Sequence, residues 1–298
     1  MIGAARIDIT PDYPVRLTGY GARKEEATEV SRKIFARALA IGGMTGATGE
    51  DSDLSVILTV DNCGVSAAIR AEVAKVLAEK GGLQPARLAI CSSHTHCAPM
   101  ANGFAPMIFG APPPPEHQAH IDRYTKDLTE KLIRVALDAI SMRRPGKLLL
   151  GFGEVKFAAN RRALKEGKWQ GFGVAPNAPV DQRLAVLAAR DIDGKLVALL
   201  SNYACHCTTL GGDFNKIHSD WAGVASDKLE ADLAGCIALQ AIGCGADANP
   251  NPRGTLELVE QHGNSLAAEV RRVLEGEMQP IDPRIVCQIE NIELPFDK

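Results

Sequence analysis

The sequence predicts an α/β fold in which a mixed β-sheet is flanked by helices in a single large domain of 298 residues. Residues 54–60 form a continuous apolar, β-branched run, which is typical of a central strand covered on both faces. A helical segment and a second apolar run, residues 87–91, follow, and this strand–helix–strand order favours a parallel, right-handed pair. Apolar residues make up 46% of the chain, enough for one extensive core.

Local signals place the elements of the first third. Strands are predicted over residues 2–9 and 34–41, and the acidic, polar segment 45–53 predicts a hairpin turn. Ser66 is a favourable N-cap for a helix over residues 67–80, which a glycine pair would end.

The segment 98–116 combines a proline run with four large apolar side chains, Phe104, Met107, Ile108 and Phe109. Apolar side chains on an irregular loop beside a polar site indicate a pocket wall or lid, with Phe104 and Phe109 as substrate contacts. A loop packed against its own core explains the same pattern equally well.

The remaining chain alternates helical and strand patterns, with a polar, glycine-rich loop between residues 160 and 179. The predicted helices are 120–141, 221–233 and 256–274, and the predicted strands are 147–157, 181–190, 195–203, 237–242 and 284–294.

Composition excludes several classes of function. The net charge of −3, with acidic and basic residues interspersed, argues against a nucleic-acid-binding surface. The chain has no transmembrane-length apolar run and no signal-peptide pattern, so a cytoplasmic location is expected. None of the eight cysteines forms a C-x-x-C pair, and we expect reduced, mostly buried thiols. A small-molecule partner is expected, and self-association is left open.

Three histidines follow predicted strands. His94 and His96 come directly after the strand at 87–91, and His206 follows the strand at 195–203. If both strands lie parallel in one sheet, the three side chains meet at the edge where α/β proteins place their sites. Side chains two residues apart on an extended backbone point the same way, which suits a metal site or an acid/base pair. An isolated H-x-H is otherwise a pair of surface histidines.

Acidic residues are expected near the same edge. Asp61, Asp220 and Asp247 each stand close to the end of a predicted strand or the start of a helix. Asp247, in the segment Gly-Ala-Asp-Ala-Asn-Pro, is the best candidate for a catalytic role, and turn formation is the alternative for all three.

Eight short motifs occur in an order that resembles the N-terminal catalytic domain of the neutral/alkaline, non-lysosomal ceramidase family. They are Asp8-Ile-Thr-Pro11, Gly19-Tyr20-Gly21, His94-Thr-His96 with Pro99, Asn160-Arg161, Val180-Asp181 with Leu184-Ala-Val-Leu187, Asn202-Tyr-Ala-Cys-His206 with Thr208-Thr-Leu-Gly211, Ser219-Asp220 with Gly223, and Ala246-Asp247 with Asn249-Pro-Asn251.

The resemblance implies a zinc-dependent amidase of sphingolipid metabolism that cleaves N-acylsphingosine with a metal-bound hydroxide as nucleophile. It implies that His94 and His206 are zinc ligands and that His96 and Arg161 hold the substrate amide and polar head. Tyr20 and Asn160 belong to matching motifs and are predicted to bind substrate.

The chain departs from the family pattern in two ways. Ceramidases carry a serine where this chain has Asn249, which can donate to an oxyanion but cannot attack, so ceramide is not expected to be a good substrate. The family takes its glutamate and tyrosine zinc ligands from beyond the equivalent of Lys298. Residues 1–298 are therefore expected to be one catalytic domain, either a fragment or a shortened form.

The alternative function is a non-catalytic metal- or ligand-binding domain with an incomplete metal shell. A serine hydrolase has little support, because the sequence contains no G-x-S-x-G motif.

Overall fold

Two β-sheets lie face to face between two pairs of helices in the computed structural model, which describes residues 1–42, 53–282, 285–290, 292–293 and 295. In the first half the elements are β1 (Ile2–Asp8), β2 (Phe35–Ile41), β3 (Ser55–Val60), α1 (Ala67–Gly81), β4 (Leu88–Ser92) and α2 (Pro115–Ser141). In the second half they are β5 (Gly146–Glu154), β6 (Ala158–Asn160), β7 (Arg162–Lys165), β8 (Lys168–Phe172), β9 (Arg183–Asp191), β10 (Leu196–Tyr203), α3 (Asp220–Asp232), β11 (Ile237–Ile242), β12 (Ala248–Pro250), α4 (Leu256–Glu275) and β13 (Gln279–Pro280).

The α/β class with mixed strand pairing is confirmed, but the described strands form two large sheets rather than one, together with the two-stranded pairs β6–β12 and β7–β8. The first sheet has the order β1-β2-β3-β4 and the second has the order β11-β10-β9-β5-β13. Each contains one parallel pair, β3–β4 or β10–β11, joined through α1 or α3, and its other pairs are antiparallel. A strand covered by helices and a strand covered by another sheet are equally apolar, so the sequence pattern does not separate one sheet from two.

The three largest hydrophobic cores lie one above another. One joins the first sheet to α1 and α2, and another joins the second sheet to α3 and α4. The third lies between the sheets, where Ile2, Leu39 and Ile41 meet Leu148 and Leu239. The order of layers is therefore helix, sheet, sheet, helix.

A cluster of buried charges ties the first sheet to α3; we call Arg37, Asp61 and Glu230 the charged cluster. The Arg37 side chain is only 2% exposed, and its Nε lies 2.8 Å from Glu230 Oε1 while its Nη1 lies 3.3 Å from Asp61 Oδ2. Arg6 and Asp227 pair with members of this cluster from its more exposed side.

Several boundaries test the sequence predictions. The Ser66 hydroxyl oxygen accepts a hydrogen bond from the Ile69 N–H at 3.4 Å, and Gly82 ends α1 in the left-handed region at φ +67°, as predicted. Helix α2 begins at Pro115, five residues before the predicted start at His120, because proline is well suited to the first helical position.

Two predictions at the level of whole elements are wrong. The predicted loop at 160–179 contains the hairpin β7–β8, whose turn residues Glu166 and Gly167 both have positive φ. The described residues of 284–294 form no strand. The predicted turn at 45–53 lies, apart from Asp53, outside the described residues. None of the described helices is long and apolar enough to cross a bilayer.

Candidate metal centre

Three imidazole rings converge where β4 and β10 end; we call His94, His96 and His206 the histidine cluster. The ring centroids of His94 and His206 lie 4.6 Å apart, those of His94 and His96 4.9 Å, and those of His96 and His206 5.7 Å. The two strands belong to different sheets. The cluster therefore forms across the junction between sheets, not along the edge of one sheet as the sequence suggested.

The backbone around the cluster is turned rather than extended. His94 has φ +58°, in the left-handed region, so the expectation that His94 and His96 share a face of an extended strand is wrong. The loops after the two strands are instead joined by a hydrogen bond from the His96 N–H to the Cys207 carbonyl at 3.4 Å. The His206 N–H donates to the carbonyl of Ala248, the first residue of β12, at 3.0 Å. A left-handed non-glycine residue costs about 1–3 kcal/mol and is often found at functional sites.

The position of His96 depends on the glycine at position 19. Gly19 has φ +92°, and a Cβ atom there would lie only 2.4 Å from His96 Cγ. On another side, the His96 ring makes an edge contact with Tyr20, with centroids 4.9 Å apart. The motif that contains Gly19 and Tyr20 thus shapes the site through close packing against His96.

Backbone carbonyls fix the orientation of two of the rings. The His94 Nδ1 lies 2.5 Å from the Cys63 carbonyl oxygen, and the His206 Nδ1 lies 2.7 Å from the Gly245 carbonyl oxygen. Because a carbonyl only accepts hydrogen bonds, each Nδ1 carries the proton and each Nε2 keeps a free lone pair. Metal-ligating histidines are typically oriented in this way.

His96 differs from the other two members because both of its ring nitrogens are shielded from solvent and have no hydrogen-bond partner among the described residues. A buried polar atom without a partner is costly and rare in folded proteins. The two free nitrogens of His96 therefore indicate a ligand or substrate group that completes the site.

Burial keeps all three imidazoles neutral. It lowers the pKa of His206 to about 4 and that of His96 to about 2, with the neighbouring imidazoles and Arg161 adding to both shifts. It also lowers the pKa of His94, an effect that the Cys63 carbonyl opposes. Neutral imidazole is the form that binds metal ions, so the cluster needs no deprotonation to do so at pH 7.

A second combination of ligand atoms includes Cys63, which sequence analysis did not select. One ligand atom each from Cys63, His94 and His96 lies within 4.8 Å of the others. The Cys63 Sγ is 3.8 Å from His94 Nδ1, but this nitrogen is the one directed at the Cys63 carbonyl. Burial also raises the pKa of the Cys63 thiol to about 12. Cys63 follows β3, the parallel neighbour of β4, and this adjacency was the available signal.

Arg161 and Asn249 form a polar wall beside the histidine cluster. Arg161 Nε donates to the Ala246 carbonyl at 3.0 Å, and its Nη1 donates to Asn249 Oδ1 at 3.3 Å. The Thr208 hydroxyl donates to the same Oδ1 at 3.1 Å. Since arginine can only donate, the Asn249 oxygen faces Arg161, and its NH₂ group is the part left to donate to a ligand.

These groups line a cavity of about 450 Å³, within the usual size range of small-molecule sites. Its lining residues are Gly19, Tyr20, Cys63, His94, His96, Phe104, Ala105, Ile108, Arg161, Phe172, His206, Thr208, Asn249 and Arg253. Of the two aromatic residues predicted on segment 98–116, Phe104 lines the cavity and packs against Gly64, whereas Phe109 does not line it and lies 4.0 Å below the Arg16 guanidinium.

Three other cavity residues had no predicted role: Thr208, Phe172 and Arg253. Phe172 ends β8, in the hairpin that was predicted to be a loop. Arg253 donates to the hydroxyl of Tyr20 at 2.9 Å, and Tyr20 in turn donates to the Leu210 carbonyl at 2.8 Å.

Asn160 and Asp247 support the wall and do not line the cavity. The Asn160 amide donates to Asp247 Oδ2 at 3.1 Å and to the Pro179 carbonyl at 2.9 Å. The Arg161 N–H donates to the Asp247 carbonyl at 2.7 Å, in line with the pairing of β6 with β12. Their catalytic and substrate-binding roles stay predictions, and their contacts favour a structural role.

The other two acidic candidates also have structural partners. Asp61 belongs to the charged cluster, and its Oδ2 also accepts a hydrogen bond from the Phe35 N–H at 2.9 Å. Asp220 accepts from the N–H groups of Leu210 at 3.1 Å and Trp221 at 2.7 Å. Among the described residues, no carboxylate lines the cavity.

Comparison with known proteins gives a consistent match. Residues 1–244 match the model of the family described as neutral/alkaline non-lysosomal ceramidase, N-terminal. A neutral ceramidase from Pseudomonas aeruginosa is 25% identical over 246 residues, which cover 78% of this chain and 34% of that protein. The chain thus spans about a third of the length of this relative.

Two solved structures share the fold. A ceramidase complexed with C2 aligns with a TM-score of 0.76 and 20% identity, covering 92% of this chain and 43% of that one. The crystal structure of neutral ceramidase from Pseudomonas aeruginosa aligns with a TM-score of 0.74 and 20% identity, covering 92% of this chain and 44% of that one.

Proposed function

Because the chain belongs to the neutral/alkaline non-lysosomal ceramidase family, we propose that it is a zinc-dependent hydrolase of an N-acyl amide bond. The observation that carries this proposal is the histidine cluster: three neutral imidazoles with free ring nitrogens on a cavity that also presents Arg161 and Asn249. A purely structural role for the cluster would leave the two buried nitrogens of His96 without a partner, which is costly.

His94 and His206 are the proposed metal ligands, each through Nε2. Their Nδ1 protons are held by the carbonyls of Cys63 and Gly245, which leaves both Nε2 lone pairs available. We prefer this pair to a site built on Cys63, because the high pKa of the Cys63 thiol disfavours the thiolate and the nearest nitrogen of His94 is already engaged. When bound there, zinc would lower the pKa of a water molecule to about 7 and polarise the acyl carbonyl.

The protein's own groups would hold the amide and stabilise its charge. With its pKa lowered to about 2, His96 is a poor base at neutral pH, and it acts instead as a neutral donor to the carbonyl oxygen. The Asn249 NH₂ group donates to the developing oxyanion, in an orientation fixed by Arg161 and Thr208. Phe104 and Ile108 contact the acyl chain.

The test compares zinc-loaded protein with protein stripped by a chelator, on a short N-acyl amide, a short ester and a long-chain ceramide. We expect zinc-dependent cleavage of the short amide and slow cleavage of ceramide, which is the prediction made from Asn249 at the position where ceramidases carry a serine. His206→Ala should abolish cleavage, whereas His120→Ala, which removes the histidine paired with Glu26 away from the cavity, should retain it. Cleavage that is equal with and without zinc would contradict the proposal.

One observation favours a second function. Two histidines make an incomplete shell for catalytic zinc, and no described carboxylate lines the cavity to complete it. A non-catalytic domain that binds a metal ion or small ligand would have the same residues. Zinc binding without turnover of any of the three substrates would favour this alternative.

A further inference from the structure

We propose that the cavity selects an N-acylated amino acid, whose free carboxylate is bound by Arg161 and Arg253. This inference rests on the proposed hydrolase function and names the substrate class for it. It starts from the charge of the cavity lining, which contains two guanidinium groups, three imidazoles and, in the described part of the chain, no carboxylate.

Neither of the two cavity arginines has an acidic partner among the described residues, unlike the arginines of the ion pairs that bind α3. Arg37 pairs with Asp61 and Glu230, and Arg32 pairs with Asp227 and Glu260. For Arg161 and Arg253, no carboxylate of the described residues lies within ion-pair distance, although the charge of Asp247 acts on Arg161 from farther away. An anionic ligand would supply the missing partner.

Both guanidinium groups are held in place with donors to spare. Arg161 uses its Nε–H on Ala246 and one Nη1–H on Asn249, so three of its five N–H groups are left. Its guanidinium also lies 4.6 Å from the ring of Phe172. Arg253 spends one N–H on the Tyr20 hydroxyl and keeps four. Such pre-oriented forks match the geometry of a carboxylate.

A second, smaller cavity indicates which end of the substrate carries the charge. This cavity of about 170 Å³ shares Phe172, Asn249 and Arg253 with the main one, and its other lining residues are Ala159, Gly173, Val174, Pro250 and Asn251. Its volume is below the range of whole small-molecule sites, so it accommodates a short group and not a long sphingoid chain, and its charged residue is Arg253. With Phe104 and Ile108 contacting the acyl chain in the main cavity, the amine side of the amide extends past Asn249 towards Arg253.

The test uses a matched pair of ligands that differ only in charge. They are the ketone analogues of N-hexanoylglycine and N-hexanoylglycinamide, in which a methylene group replaces the amide nitrogen so that neither is hydrolysed. Calorimetric titration of each into zinc-loaded protein measures the affinity ratio of acid to carboxamide. We expect the acid to bind roughly 10- to 100-fold more tightly, the size of a charge-assisted pair of hydrogen bonds.

Variants test which residues cause the preference for the acid. Arg161→Gln and Arg253→Gln should each reduce the affinity ratio to a few-fold. Arg123→Gln removes the same charge from an exposed arginine that pairs with Asp12 and Asp127, and it should leave the ratio unchanged. Equal affinity for acid and carboxamide would overturn the inference. So would a preference that survives both cavity substitutions, because the carboxylate would then bind the metal.

Hydrolysis separates this inference from the proposed function. Cleavage of N-hexanoylglycine and its amide at equal rates, with equal binding of the two analogues, would overturn the inference and leave the hydrolase function standing. An intact preference for the acid, without cleavage of either amide, would contradict the hydrolase function and support the carboxylate site.

Discussion

The charged cluster and the histidine cluster are both largely buried groups of polar side chains, yet their atoms are partnered differently. In the charged cluster, Arg37 uses its Nε and both Nη atoms on the carboxylates of Glu230, Asp61 and Asp227. In the histidine cluster, His96 has no partner on either nitrogen, and the Nε2 atoms of His94 and His206 are left over after their Nδ1 contacts.

The difference distinguishes side chains that are buried for stability from side chains that are buried for function. Burying a charge is tolerated when a partner and hydrogen bonds compensate, and the charged cluster joins the first sheet to α3 in this way. A buried nitrogen without a partner is costly, and for His96, which lines a cavity, a ligand that supplies the partner explains it. Substitutions in the charged cluster should therefore reduce stability, whereas substitutions in the histidine cluster should reduce activity.

The largest expected effect is on stability. Arg37→Ala leaves Asp61 as a buried carboxylate without an ion-pair partner and removes the buried partner of Glu230. It should lower the free energy of unfolding by about 3–5 kcal/mol, measured by urea denaturation at pH 7. Arg6→Ala is the matched control, because Arg6 pairs with the same Glu230 from a side chain that is 46% exposed, and its loss should cost at most about 1 kcal/mol. Equal costs for the two variants would contradict the assigned role of the charged cluster.

The second effect is on activity. Substituting a group that merely orients a metal ligand costs about 10- to 100-fold, so loss of a ligand in His206→Ala should reduce zinc-dependent hydrolysis by at least about 100-fold. The metal-free variant should unfold close to the wild-type midpoint, since the lost ring lines the cavity and its truncation enlarges a space that is already open. His262→Leu is the control: His262 is equally buried but bonded to the Pro252 carbonyl, and its loss should leave zinc-dependent hydrolysis in place. Comparable activity losses in the two variants would argue against a special role for the histidine cluster.

A smaller effect is expected from the glycine beneath His96. Gly19→Ala places a methyl group against the His96 ring and forces alanine into a left-handed conformation, at a cost of about 1–3 kcal/mol. Gly194→Ala carries the same conformational penalty, since Gly194 has φ +81°, but no atom lies within 4 Å of its Cβ position. Both variants should lose stability in thermal unfolding, and only Gly19→Ala should also lose activity beyond what its reduced stability explains.

The most gradual effect concerns pH. His218 Nδ1 accepts a hydrogen bond from the Asp220 N–H at 2.8 Å, and burial, with the charge of Arg32, lowers the pKa of His218 to about 4. The unfolded chain, with a histidine pKa of about 6.5, then binds more protons than the folded one, so this contribution is present above pH ~6.5 and is lost as the pH falls towards 4.

The loss should amount to at most about 1.4 kcal/mol per pH unit for this histidine, measured as the free energy of unfolding of the metal-free protein between pH 6.5 and 4. His218→Asn preserves an acceptor for the Asp220 N–H but does not titrate, so its profile should be flatter. An unchanged slope in His218→Asn would show that other groups set the acid sensitivity.

Local signals in the sequence predicted local structure well. Ser66 and the glycine pair fixed the ends of α1, and the strand at 237–242 matches β11. The hairpin β7–β8 was missed because its turn is Glu166-Gly167, and glutamate is not a usual residue at a left-handed turn position. The division into two sheets could not be predicted, because both faces of the strands are buried in either arrangement.

The sequence predicted that three histidines meet, but on the basis of a strand arrangement that the structure does not have. The three histidines do converge, but they do so across two sheets and through the left-handed backbone of His94. Asp247 has the sequence context of a site residue, and in the structure it accepts a hydrogen bond from Asn160, so its catalytic role stays a prediction. Phe172 and Arg253 could not be identified because their place in the cavity depends on tertiary contacts that no local pattern encodes. Cys63 had a signal, its position after the strand that pairs with β4, which was not used.

The central claim is that the histidine cluster binds zinc through His94 and His206. Titration of zinc into chelator-stripped protein, followed by calorimetry and metal analysis, tests it most directly. We predict that the wild-type chain and Cys63→Ser bind a single zinc ion tightly and that His94→Ala and His206→Ala do not. Tight binding that is retained in His206→Ala and lost in Cys63→Ser would contradict the claim and move the metal centre to Cys63, His94 and His96.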